Sequence, residues 1–229
     1  MLKDNLENVK KKVREACMEA GRDASCVTVV AVSKTKPIEA IKELYDAGHR
    51  DFGENYIQEL RVKQEALPKD IRWHMIGHLQ RNKVKYIAEY ICLIHSVDSY
   101  ALAETIEKEA AKCGRTIPIL IEVNVGEEES KFGIRPEEAE DLVRRISSLP
   151  HVRIKGFMTS APYVEDPEED RECFSKLRDL SVDIALKKID NVEVSVLSMG
   201  MSNDYIVATQ EGSTMVRVGT SIFGERNYS

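Results

Sequence analysis

Short apolar runs alternate with amphipathic stretches from one end of the chain to the other. The first amphipathic stretch places Leu2, Leu6, Val9, Val13, Cys17 and Ala20 at intervals of three or four, which lines one face of a helix, and it stops near Gly21. An apolar run, Val27 to Ser33, follows and reads as a strand. Further strands are predicted around Asp51 to Gly53, Arg72 to Gly77, Ile91 to Val97, Ile117 to Val125, Val152 to Met158, Val192 to Leu197 and Met215 to Val218, eight in all, with the second the shortest. The stretches between them repeat the helical spacing, as in Leu102, Ile106, Ala110, Cys113 and in Ala139, Leu142, Val143, Ile146, Leu149. Runs as continuously apolar as Val27 to Val32 suit a parallel sheet covered on both faces. Eight such units imply an α/β protein, a (β/α)8 TIM-like barrel with an extra N-terminal helix rather than an open doubly wound sheet. No linker interrupts the pattern, so residues 1–229 read as a single domain. The acidic loop Gly126 to Ser130 and the segment Tyr163 to Asp170 read as solvated connections.

A barrel directs attention to the carboxyl ends of its strands, where active sites form and where the loops after the last two strands commonly hold phosphate. The first strand ends in Ser33-Lys34-Thr35-Lys36-Pro37, which delivers Lys34 to that mouth just before a helix opened by Pro37. Partial desolvation disfavours the charged form of a lysine and readies its amine for attack on a carbonyl. Leu197-Ser198-Met199-Gly200-Met201-Ser202-Asn203-Asp204 follows the seventh strand, and Val216-Arg217-Val218-Gly219-Thr220 closes the eighth. Small residues let backbone N–H groups approach an anion, hydroxyls add donors, and a helix beginning near Ser202 would aim its positive end at the ligand. Neither segment is a Walker loop or a dinucleotide fingerprint. Lys34 shares their face because a first strand neighbours the eighth in a closed barrel.

Composition narrows the classes. A formal charge of −6 over 229 residues, with acids and bases interleaved, argues against nucleic acid or an anionic membrane as partner. No apolar run reaches membrane-spanning length and the first residues carry no targeting signal, which predicts a cytoplasmic protein. The 5 cysteines are dispersed without a C-x-x-C pair and read as reduced thiols. His74 and His78 are spaced for a metal on a helix, but they sit on a strand running into a loop, so no metal site is expected.

A reactive lysine, a phosphate nest and an arginine on the last strand together describe a site for pyridoxal 5′-phosphate, bound as a covalent aldimine on Lys34. Ser198, Gly200, Ser202, Gly219 and Thr220 would hold the phosphate, and Arg217 would face the pyridine nitrogen. A Schiff-base aldolase on the same fold is the competing reading, disfavoured by the lysine's place on the first strand and by the lack of an evident acid beside it. Arginine does not give up its proton, so it keeps the ring nitrogen unprotonated and the ring a weak electron sink.

Val-Ser-Lys-Thr-Lys-Pro at 32–37, Phe-Gly-Glu-Asn-Tyr-Ile-Gln-Glu at 52–59, Trp-His-Met-Ile-Gly-His-Leu-Gln-Arg-Asn-Lys at 73–83 and the two segments at 197–204 and 216–224 closely resemble the pyridoxal phosphate homeostasis protein family, the YggS/PROSC type, which is similar to the barrel domain of alanine racemase. Met75 and the segment Phe157 to Ser160 are small departures from the family's pattern. The resemblance implies a fold type III pyridoxal phosphate barrel of the alanine racemase N-terminal kind. It implies that Lys34 is the cofactor lysine, that Asn55 and the Ile76 to His78 turn line the pocket with Met199 in the loop after the seventh strand, and that Ser198, Ser202, Gly219 and Thr220 bind phosphate. It further implies binding, storage or supply of the cofactor, with effects on amino-acid and keto-acid balance, and apo-enzymes that need pyridoxal phosphate as recipients. The alternative is a weak amino-acid racemase. That activity needs an acid on the opposite face of the ring, for which Tyr56 and Tyr205 are the nominees, and both read more readily as packing aromatics. The chain is expected to act as a monomer, although nothing in the residues themselves fixes the oligomeric state.

Overall fold

Continuous apolar strands leave no polar face for solvent, so the sheet they form must be enclosed, and it is. The computed structural model describes residues 1–126 and 132–225. Eight parallel strands, β1 (Thr28–Val32), β2 (Asp51–Glu54), β3 (Arg72–Met75), β4 (Leu93–Val97), β5 (Ile117–Glu122), β6 (Val152–Met158), β7 (Val192–Ser198) and β8 (Met215–Val218), form a closed barrel in sequence order. Pairing of Thr28 to Ala31 with Met215 to Val218 closes the ring. Each predicted strand is present within a few residues of its expected ends. The short Asp51 run extends to Glu54.

Helices α1 (Leu2–Glu19), α2 (Ile38–Asp46), α3 (Ile57–Ala66), α4 (Tyr100–Lys112), α5 (Ala139–Ile146), α6 (Arg171–Leu186), α7 (Tyr205–Gln210) and α8 (Thr220–Phe223) surround the barrel, with a short 3-10 turn (Arg81–Tyr86) in place of a helix between β3 and β4. α1 precedes β1 as expected and buries Leu6, Val9, Val13 and Cys17. The helix after β7 begins at Tyr205, not near Ser202, because the Asp204 carboxylate accepts the Met201 N–H and holds residues 201–204 as a turn. The expected helix dipole at Ser202 is therefore absent.

The main core lies between the strands and the helices and includes Phe52, Trp73, Met75, Ile119, Ile121 and Phe157. A second, smaller apolar cluster of Leu93, Leu120 and Met158, flanked by Val196 and Met215, comes from the alternate positions of β4 to β8 and so fills the barrel interior. Of the loop at 126–130, all but Gly126 lies outside the described residues. The segment from Tyr163 is more than a solvated connection: it forms a 3-10 turn at Pro167–Asp170, and Asp170 is buried.

Candidate functional site

The carboxyl ends of β1, β2, β7 and β8, with the loops that follow β3 and β6, surround a cavity of about 340 Å³. Lys34, Asn55, Ile76, Ser202, Arg217, Gly219 and Thr220 all line it, so seven of the eleven residues singled out from the sequence meet in one place.

Lys34 is half-buried and sits in a tight turn in which the Lys36 N–H donates to the Ser33 carbonyl at 3.0 Å. The next residue, Thr35, has φ of 62°, a left-handed conformation that a β-branched side chain adopts only under constraint. The constraint is visible. The Thr35 N–H donates to the Glu59 carboxylate, while the buried Lys63 ammonium donates to the Ser33 carbonyl at 2.7 Å and to Glu54 at 2.8 Å, and also pairs with Glu59. Ser33 Oγ donates to the same Glu54 oxygen. Burial pushes the Glu54 carboxyl up, against the opposing pull of Lys63. These contacts from β2 and α3 fix the backbone on which Lys34 stands.

Asn55 follows β2 and presents a buried Oδ1 with no hydrogen-bond partner among the described residues. Gly77 lets the turn after β3 close on it, since a Cβ there would lie 2.8 Å from the Asn55 backbone. On the far wall, Ser202 Oγ accepts the N–H groups of Gly219 at 3.1 Å and Ser221 at 3.4 Å, which ties the loop after β7 to the loop after β8. Arg217 projects into the base of the cavity, donating from Nη1 to Ser198 Oγ at 2.7 Å and from Nη2 to the Thr159 carbonyl at 2.9 Å. Burial pulls its guanidinium down to about 10, with Asp204 and Glu122 opposing, so it stays charged near neutrality.

The remaining residues lie elsewhere. Ser198 is fully buried beneath the cavity and its hydroxyl is engaged by Arg217 and by His95 at 2.8 Å, so it faces the barrel interior and not a phosphate in the loops above. Met199 is packed in the main core. Gly200 has φ of 94° and touches α7 so closely that a Cβ would lie 2.6 Å from that of Ala208; helix packing, not anion approach, explains this glycine. His78 stacks on Phe132 with ring centroids 4.2 Å apart and borders an adjoining hollow that also reaches Asn55. Tyr56 is exposed and Tyr205 is buried, and neither lines the cavity.

Several lining residues escaped the sequence reading, among them Ser160, Pro162 and Tyr163, while Asn203 and Asp204 were read only as part of the loop after β7. The barrel rule that every strand end faces the mouth would have pointed to Ser160, two residues beyond β6. Among the described residues no group of three or more His, Cys, Asp or Glu side chains could hold a metal, and no helix is long and apolar enough to cross a membrane.

Residues 2–227 match the family model for the alanine racemase N-terminal domain. Alanine racemase of Clostridium difficile 630 shares the fold, with a TM-score of 0.75 at 15% identity, 99% of this chain covering 58% of that one. A pyridoxal phosphate homeostasis protein of Aquifex aeolicus (strain VF5) is 46% identical over 226 residues, covering 98% of each chain. PipY of Synechococcus elongatus PCC7942, solved with PLP bound, aligns with a TM-score of 0.84 at 33% identity, over 98% of this chain and 100% of PipY. Fold and site thus define a barrel of the alanine racemase N-terminal type. Within that type, the chain belongs to the pyridoxal phosphate homeostasis protein family.

Proposed function

We propose that this protein binds pyridoxal 5′-phosphate covalently on Lys34 and serves its storage and supply inside the cell, in the cytoplasm, to apo-enzymes that depend on it. The observation that carries the reading is the convergence of Lys34, Asn55, Arg217 and the two loops after β7 and β8 on one cavity. The residues present suit the cofactor. Asn55 Oδ1 is buried and, among the described residues, unpartnered, so it would be free to accept from a polar group of the cofactor, and the volume lies within the range of small-molecule sites. Ser202, Gly219 and Thr220 would supply hydroxyl and N–H donors for a phosphate, the Gly219 and Ser221 N–H groups exchanging Ser202 Oγ for the anion's oxygens.

Bound pyridoxal phosphate supplies an aldehyde carbon, which condenses with a primary amine and releases water. Lys34 provides that amine from a backbone held rigid by Lys63, Glu54 and Glu59. Arg217 would hold the ring-nitrogen side of the cofactor by donating a hydrogen bond, and a guanidinium that keeps its own proton would limit the ring as an electron sink and favour carriage over turnover.

Borohydride reduction of the cofactor-loaded protein tests this. Peptide mapping is expected to find the phosphopyridoxyl group on Lys34, and the reduced protein is expected to lose its ability to restore activity to a cofactor-free recipient enzyme. A label on Lys36 or elsewhere, with Lys34 unmodified, would refute the assignment.

A further inference from the structure

Beneath the cavity a line of polar side chains crosses the barrel interior, and cofactor binding as described above uses only its first member, Arg217. Arg217 Nη1 lies 2.7 Å from Ser198 Oγ, Ser198 Oγ 2.8 Å from His95 Nδ1, His95 Nε2 3.0 Å from His74 Nδ1, and His74 Nε2 3.1 Å from Asp51 Oδ1. The line passes through β8, β7, β4, β3 and β2 and ends where Asp51 pairs with Arg72, at the opposite end of the barrel from the cavity. Ser198, His95, His74 and Asp51 are all buried.

Donor and acceptor chemistry leaves the line one proton arrangement. Arginine only donates, so Ser198 Oγ must accept from it. The hydroxyl's other partner is His95 Nδ1, so its proton goes there and Nδ1 carries none. A neutral His95 then bears its proton on Nε2 and gives it to His74 Nδ1, which leaves His74 protonated on Nε2 toward Asp51. The far end agrees independently: hydrogen bonds from His74 and Arg72 overcome the effect of burial and hold the Asp51 carboxyl well below the usual carboxylate range, so Asp51 accepts. Burial, helped by the charge of Arg217, keeps His95 neutral. Reversing any link would strand the Ser198 proton in the interior without an acceptor.

We propose that Ser198, His95, His74 and Asp51 form a one-way hydrogen-bond line that fixes the Arg217 guanidinium in place, and that they are positioning residues for cofactor binding. This rests on the reading that Arg217 meets the cofactor ring. A guanidinium tethered at both Nη1 and Nη2 presents its remaining N–H donors in one orientation, and the line converts the Ser198 hydroxyl, which could otherwise rotate, into a fixed acceptor.

The first test uses cofactor-free protein, so it stands apart from the binding reading. Long-range 1H–15N NMR is expected to find His74 and His95 both neutral and protonated on Nε2 near pH 7. Protonation of either on Nδ1 would overturn the proposal. The second test compares His95→Leu, which breaks the line, with His95→Gln, whose amide can accept from Ser198 and donate to His74. His95→Leu is expected to weaken cofactor retention about tenfold, as for a lost hydrogen bond to a charged group, and to shift the absorption band of the bound cofactor. His95→Gln is expected to stay within about threefold of wild type with the band restored. Retention and spectrum unchanged in His95→Leu would overturn the proposal. Should His95→Leu not fold, the NMR result and Ser198→Ala, expected to give the same tenfold loss and band shift, decide it. Failure of the binding reading would register separately, as a missing Lys34 label in reduced wild-type protein.

Discussion

The two faces of the barrel wall come from the same eight strands and follow opposite rules. The outer face presents Phe52, Trp73, Met75, Ile121, Phe157 and Val218 to the helices and is apolar throughout that selection. The inner face, one residue away along each strand, carries Asp51, His74, His95, Glu122, Ser198 and Arg217, all buried. Apolar packing against helices is non-directional and tolerates approximate geometry. The inner groups have to be satisfied one by one, since a buried polar atom without a partner costs about 1–3 kcal/mol. The outer face therefore provides stability, while the inner face sacrifices some of it to hold a charged arginine beneath the cavity.

Breaking the outer face should have the largest effect. Trp73 is buried with its ring 6.0 Å from that of Phe52, and Trp73→Ala is expected to cost about 3–5 kcal/mol, read as a lowered urea midpoint.

On the inner face Glu122 is a liability. Burial raises its carboxyl to about 7, reinforced by Asp98 and opposed by Arg217, and its Oε2 has no partner among the described residues. Raised above the ordinary 4.5, this pKa means a stabilising contribution that is present below about pH 4.5 and lost as pH rises through about 7. Glu122→Gln, which does not titrate, is expected to gain on wild type by about 3 kcal/mol between those limits. Urea denaturation of both proteins from pH 4.5 to 8 checks this; a constant difference across that range would contradict it.

Arg72 marks where the inner face meets solvent and should matter least. Its side chain is 54% exposed although it pairs with Asp51. Arg72→Ala is expected to change stability by about 1 kcal/mol or less, with His74 still held by Asp51, as the same denaturation experiment reads out.

The outer face was largely legible in the sequence because strands such as β1 and β5 are apolar at nearly every position, and that signal needs no partner to be read. The mouth was legible for a related reason: Lys34, Ser202, Gly219 and Thr220 stand where apolar runs stop. The inner face was not. His74 and His95 stand in two different short strands, 21 positions apart, with nothing in either run to pair them, and the sequence offered His78 as the neighbour of His74 when β4 supplies the real one. The same limit explains Ser198, whose place at a strand end suggested a phosphate donor, whereas the inward turn of alternate residues gives its hydroxyl to Arg217. Gly200 likewise has the composition of an anion loop, but α7 packs on it.

Closure of β1 on β8 has a consequence for the life of the chain. Lys34 leaves the ribosome well before Arg217 and Thr220, and the cavity takes shape only when β8 docks beside β1. Contacts so distant in sequence form late in folding. A chain that has not yet made β8 thus carries the lysine without the walls around it, so that tight retention of a ligand there would certify that the barrel has closed.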